Sequence, residues 1–216
     1  MTDNYIHHDD PEVLIGGVDE SNRGGLIYDV VAACVVLPTS FPDEKYKNIK
    51  DSKKISPKKR KELAEYIKQH AVTYGIGSAT NEEIDATNIL AATMKAMHRA
   101  INEAYKKHQF DELKIDGPHF KGYCPPGMDE DILPHECVIK GDSKYLNIAA
   151  ASILAKNHHD TMFLQLIDDN PELEKYDLRK NQGYGTVKHM EAIRNYGITR
   201  FHRKSFGPCK YANITY

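Results

Sequence analysis

At 216 residues, with 40% hydrophobic side chains and a net charge of −2, the chain is long enough to bury one sizeable core and too apolar and balanced in charge for a disordered segment. It contains no run of about 18 apolar residues, and its acidic opening, "MTDNYIHHDDPE", lacks the basic and then apolar pattern of a secretory leader; neither a membrane span nor export is expected, and the location expected is intracellular, in the cytoplasm. Cys34, Cys124, Cys137 and Cys209 show no C-x-x-C spacing, which predicts free thiols in a reducing compartment.

In chain order, residues 13–18 (VLIGGV) and 30–37 (VVAACVVL) are short apolar runs rich in β-branched side chains, and they predict two buried strands joined by the turn 21–29. Ser56 followed by Pro57 marks a helix start, with Leu63 and Ile67 on its apolar stripe and an end near His70. "VTYGIGSAT" predicts a half-buried strand with Val72, Tyr74, Ile76 and Ser78 on one face; Gly75 and Gly77 lack the third glycine of a dinucleotide loop. Met94, Met97, Ile101 and Tyr105 recur at helical spacing and read as core. "ELKIDG" predicts a strand ending at Asp116, and "CVIKGD" a second ending at Asp142. A strongly helical segment rich in small residues follows, and 186–196 is the last clear helix. The order of elements predicts an α/β domain with a mixed sheet, antiparallel at its start.

Asp19, Asp116 and Asp142 each close an apolar strand with a glycine nearby. Each alone reads as a turn cap. Three together would repel unless they held a hard divalent cation on oxygen ligands, and two such ions would suit phosphodiester hydrolysis. Glu20 shares this site only if the strand breaks there, because strand neighbours point to opposite faces. Asp160 lies too far along one helix, roughly 27 Å from Asp142 at 1.5 Å per residue, and reads as structural, beside Lys or Arg. His158 and His159 are not expected to be a metal pair. From Glu174 onward the chain has an excess of six positive charges, which is either a solvated face or a surface for an anionic partner.

"GVDESNRGG" with "VVAACVVLP", "DSKKIS", "IDATNILAATMKAM", "IDG", "KGDSKYLNIAAASILAK", "NQGYGT" with a histidine beyond it, and "HRKSF" resemble, in order and spacing, type 2 ribonuclease H, or ribonuclease HII. The resemblance implies a ribonuclease H-like fold with a five-stranded mixed sheet flanked by helices. It implies Mg2+- or Mn2+-dependent cleavage of RNA in RNA/DNA hybrids and cutting 5′ of ribonucleotides embedded in duplex DNA, as in ribonucleotide removal, leaving 3′-hydroxyl and 5′-phosphate ends. It makes Asp19, Glu20, Asp116 and Asp142 the catalytic and metal-holding residues. It assigns the 2′-hydroxyl to the backbone of Asn22, Arg23 and Gly24, and the following deoxyribose to Tyr184, in keeping with the 2′-hydroxyl being what separates RNA from DNA.

The chain departs from the family pattern at Asn22 for glycine, at Gly25 for proline, and at Tyr28-Asp29 for Gly-Pro. Asn tolerates positive φ and Gly25 adds freedom, so the bend can form. Weakened junction specificity is the alternative reading, and a non-catalytic hybrid-binding protein the other. A type 3 ribonuclease H would carry an N-terminal substrate-binding domain, for which residues 1–12 are too short. Lys53, Lys54, Lys140, Lys144, Arg179, Lys180, Arg203 and Lys204 are candidates for phosphate contacts that position a duplex without reading its sequence. Residues 1–12 are expected to be an extension, 13–210 the catalytic domain with a basic C-terminal helical part, and 211–216 a tail. A monomer is expected.

Overall fold

The computed structural model describes residues 13–50, 52, 55–127 and 131–215. The expected N-terminal extension and two of the candidate phosphate contacts, Lys53 and Lys54, lie outside the described residues. A five-stranded mixed sheet runs β3-β2-β1-β4-β5, with β1 at Ile15–Ser21, β2 at Val30–Val36, β3 at Thr73–Ala79, β4 at Glu112–Asp116 and β5 at His135–Val138. β1 to β3 form an antiparallel meander, and β4 and β5 add in parallel beside β1.

Helices cover both faces of the sheet. α1 (Pro57–His70) starts as the sequence predicts, with the Ser56 side chain accepting from the Lys59 N–H and Pro57 in the first turn. α2 (Asn81–Ala86) opens on a capping box between Thr80 and Glu83. α3 (Ile89–Lys107) packs Ala96, Met97, Ala100 and Ile101 against Val18, Cys34 and Ile115 on one face of the sheet. α1 and α4 (Leu146–Asp169) cover the other, where Ile67 and Ile153 meet Val31, Ala33 and Val35. No helix among the described residues is long and apolar enough to cross a membrane.

β3 inverts the expected facing. Its fully buried positions are Thr73, Gly75, Gly77 and Ala79, while Tyr74, Ile76 and Ser78 are only half-buried and Val72 falls outside the strand. A β-carbon on Gly75 or Gly77 would overlap the α3 backbone carbonyls of Ala100 or Ala96. The glycine face is thus the one that α3 approaches backbone to backbone, and the larger side chains take the looser face. β5 also differs from expectation: it ends at Val138, four residues before Asp142, and Ile139 is exposed.

A third apolar cluster holds the C-terminal part. α5 (Leu178–Asn181) and α6 (Val187–Tyr196) contribute Leu178, Ala192 and Ile193, which gather with Leu173, Tyr176 and Ile198 around Phe163 of α4 and around Leu26 and Ile27 from the turn after β1. This packing plugs the β1–β2 turn into the C-terminal helices. The turn is therefore held from two sides, by its own strands and by a distant stretch of chain.

Candidate active site

β1 does not break at Asp19. It stays in register through Ser21, with Asp19 opposite Ala33 and Glu20 opposite Ala32. The pleat therefore sends the two side chains to opposite sides of the strand. Asp19 is buried on the α4 side, where its Oδ1 accepts the Glu20 N–H at 2.7 Å. The parallel pairing of Val18 with Ile115 brings Asp116 level with Asp19 on the neighbouring strand. Asp116 Oδ1 in turn accepts the N–H of Gly141 at 2.7 Å. That bond fastens the turn after β5 to the end of β4, and Asp142 lies in the short 3-10 turn Gly141–Ser143 that follows, ahead of α4. Asp19, Asp116 and Asp142 thus share one end of the sheet, brought there by β1, β4 and the β5–α4 connection; the strand break expected to bring Glu20 in does not occur, and Glu20 adjoins them from the other side of β1, near enough for its charge to act on Asp19.

Their electrostatics are unbalanced. The Asp19 carboxyl is raised well above the usual carboxylate range, first by burial and then by the charges of Glu20 and Asp116; the Glu20 N–H and the Ser152 hydroxyl pull the other way. Ser152 itself is held by Ser52, with the two hydroxyl oxygens 2.8 Å apart. Glu20 lies 3.6 Å from the exposed guanidinium of Arg23. Among the described residues, no three His, Cys, Asp or Glu side chains are gathered closely enough to enclose an ion. The donor chemistry nevertheless fits a hard divalent cation: every side chain offered is a carboxylate, and a buried carboxyl pressed by like charges is one that a cation would relieve.

Beside the carboxylates, the expected loop and tyrosine meet. Asn22 has a φ of 65°, the left-handed bend the sequence allows for, and its side chain is buried with Nδ2 donating to the carbonyls of Ile27 at 3.1 Å and Asp29 at 2.8 Å. Arg23 and Gly24 face solvent. A β-carbon built on Gly24 would lie 3.7 Å from the ring of Tyr184, which is itself exposed. Tyr28 also has a positive φ, 71°, a conformation costing a non-glycine residue roughly 1–2 kcal/mol; its ring rests on Phe163 and His159 with centroids 5.6 and 5.9 Å away.

Arg203 corrects the sequence expectation. It is not a phosphate contact, because it is completely buried and its guanidinium is committed to backbone carbonyls. Nε donates to Tyr28 at 2.8 Å, Nη1 to Arg23 at 3.1 Å and Gly25 at 2.8 Å, and Nη2 to Asn22 at 2.7 Å. Lys140, Lys144 and Lys204 are exposed. Arg179 bonds to Asp168 at 2.6 Å and Glu174 at 2.7 Å, and Lys180 lies 4.0 Å from Asp177, so this basic pair is partly neutralised by its own surroundings. Asp160 is structural as expected, paired with Arg60 at 2.8 Å and Lys156 at 2.7 Å.

Two histidines that the sequence reading left without a role support Tyr184 from behind. The Thr199 N–H donates to His202 Nδ1 at 3.0 Å, which leaves the proton on His202 Nε2; that nitrogen lies 3.2 Å from His189 Nε2, and His189 Nδ1 lies 3.0 Å from the Tyr184 carbonyl. Donors and acceptors match along the chain only if both rings are neutral. Burial favours this, pushing His202 down to about 3. The signal available in the sequence was the histidine downstream of "NQGYGT" and the one opening "HRKSF".

Comparison with known proteins gives one consistent result. A family model described as ribonuclease HII matches residues 16–209. The ribonuclease HII of Christiangramia forsetii is 42% identical over 195 residues, covering 90% of this chain and 91% of its own. That of Clostridioides difficile is 47% identical over 199 residues, covering 92% of this chain and 72% of its own. Among solved structures, ribonuclease H2 from Pyrococcus horikoshii superposes with a TM-score of 0.72 at 21% identity, covering 92% of this chain and 96% of that one, a likeness of fold.

Proposed function

This chain belongs to the ribonuclease HII family, and from that premise we propose that it cuts on the 5′ side of ribonucleotides embedded in duplex DNA. Family membership makes it a ribonuclease H endonuclease, dependent on a divalent metal ion and acting on RNA/DNA hybrids. The observation that carries the finer reading is the closeness of the Tyr184 ring to the exposed backbone at Gly24, where a β-carbon would lie 3.7 Å from it. The outward backbone at Arg23 and Gly24 takes the ribose 2′-hydroxyl. The Tyr184 ring takes the next sugar, where a second 2′-hydroxyl would be crowded.

Asp19, Glu20, Asp116 and Asp142 would hold the metal, as Mg2+ or Mn2+, in a two-ion arrangement. When bound, such ions supply Lewis-acid stabilisation of the charge that develops on the phosphoryl oxygens and favour ionisation of the attacking water. The chain's own contribution is to place the carboxylates on three rigid elements, with Ser152 and the Glu20 N–H orienting Asp19 and the Gly141 N–H orienting Asp116. Hydrolysis breaks the bond from phosphorus to the 3′-oxygen and leaves 3′-hydroxyl and 5′-phosphate ends. No histidine base is required, and His189 and His202 are committed elsewhere.

A labelled DNA duplex with one ribonucleotide, run beside an all-RNA/DNA hybrid with Mg2+ and with Mn2+, tests this. A single cut 5′ of the ribonucleotide is expected. Cleavage of the hybrid alone would overturn the junction reading while leaving the family activity intact.

A further inference from the structure

The 22–29 turn has almost all of its carbonyls facing inward. Arg203 takes those of Asn22, Arg23, Gly25 and Tyr28 through its guanidinium, and its own backbone N–H takes that of Leu26 at 2.9 Å. The Asn22 side chain takes those of Ile27 and Asp29. All peptide bonds here are trans, and in a trans peptide the C=O of one residue and the N–H of the next point in opposite directions. Inward carbonyls at Asn22 and Arg23 therefore turn the N–H groups of Arg23 and Gly24 outward, to the side where Glu20 and Tyr184 lie. The Leu26 N–H, driven outward in the same way, bonds the Gly183 carbonyl at 2.8 Å and so ties the turn to the residue before Tyr184.

We propose that Arg203 and Asn22 are positioning residues that aim the Arg23 and Gly24 N–H pair from behind, and that glycine at position 25 is the condition for Asn22 to do so. Asn22 Oδ1 is buried without a hydrogen-bond partner among the described residues, and it fills the place that a β-carbon on Gly25 would occupy. An alanine at 25 and the asparagine at 22 cannot both keep their places. The Asn22 side chain and the bare Gly25 are thus one device: the first pins the far end of the turn through two carbonyls, and the second leaves the room. Arg203 is the fixed point behind both. A lysine at 203 would keep the charge and lose the fork that reaches four carbonyls at once.

The inference rests on the reading that this loop contacts the ribose, and the test separates the two. The parent, Gly25→Ala, Asn22→Gly, the double variant and Arg203→Lys are assayed for kcat and KM on the single-ribonucleotide duplex and on the uniform hybrid. Gly25→Ala is expected to lower kcat/KM on the single-ribonucleotide duplex about tenfold or more, chiefly through KM, and to cost nothing further in the Asn22→Gly background. Arg203→Lys is expected to shift the ratio of the two substrates about threefold or more, a readout that a mere loss of folded protein would not move. Equal cost of Gly25→Ala in both backgrounds, or an equal fall on both substrates in Arg203→Lys, would overturn the proposal. A parent that leaves the embedded ribonucleotide uncut would sink the underlying reading instead, and the same cycle read as KM on the hybrid would still decide the coupling of Asn22 to Gly25.

Discussion

The two halves of the site handle buried charge in opposite ways. At the strand ends, Asp19 is buried among like charges, with one backbone N–H and one hydroxyl to offset them. Under the turn that follows, the guanidinium of Arg203, brought in from near the other end of the chain, is also buried, yet carbonyls surround it. The first region is under electrostatic stress; in the second, burial still pulls the guanidinium down to about 10, but each of its nitrogens donates to a carbonyl. Stress of the first kind is relieved by a cation from outside, whereas satisfaction of the second kind makes a rigid frame. One chain thus sets a place that a cation would relieve against a place that supplies its own partners.

Substitutions can break this contrast, and the largest effect is expected at the stressed end. Asp116→Asn keeps an acceptor for the Gly141 N–H but removes a charge pressing on Asp19, so activity should fall by on the order of 100-fold or more while thermal stability holds or rises. Paired rate and melting measurements check both halves; substantial residual activity would remove Asp116 from the site. The satisfied end should respond the other way. Arg203→Met leaves four inward carbonyls without their donor and should cost on the order of 3 kcal/mol in urea unfolding.

The histidine pair sharpens the comparison through pH. His202 titrates at about 3 in the folded protein, against an ordinary 6.5 when unfolded. Between those values the unfolded chain takes a proton that the folded one refuses. The stability contribution is therefore whole above about pH 6.5 and drains away as pH falls toward 3, at roughly 1.4 kcal/mol per pH unit for each proton. Urea midpoints between pH 7.5 and 4.5 should show that slope, and His202→Asn should flatten it.

The smallest effect is expected at Asp29, which burial raises to about 6. For an acid shifted upward the sign reverses: its contribution is intact below about pH 3.8 and lost as pH rises through 6. Asp29→Asn, which keeps an acceptor for the Asn81 N–H, should stabilise the protein above pH 7 by about 1 kcal/mol or less once solvent screening is counted, and not at all near pH 4. Melting curves at the two pH values would show whether the gain vanishes with acid.

Much of this was legible in the chain. The segments that form strands, the Ser56-Pro57 start of α1, the continuous α4 and the structural role of Asp160 follow from local pattern, because periodicity, caps and turn residues act within a few positions, while the five-stranded sheet and the bend at Asn22 came from the family resemblance. The site was legible where acidic residues close apolar strands. The facing of β3 was not: hydrophobicity favours Tyr74 and Ile76 for burial, and only the close approach of α3 explains why Gly75 and Gly77 lie deeper.

Arg203 marks the same boundary more sharply. In the sequence it is one cation in a basic C-terminal stretch, indistinguishable from Lys204 beside it, and charge alone assigns both to the phosphate backbone. In the structure one is exposed and the other is sealed under the loop 180 residues before it. By itself, the sequence determined which groups the protein carries, which segments form its strands and helices, and that three aspartates follow apolar segments, since these follow from short-range rules; Glu20 joined them through the family resemblance, and β5 ends four residues before Asp142. Only the tertiary structure decided which charges are spent inside and which remain for a ligand, because burial and the partners of a long side chain depend on segments that the chain order keeps far apart.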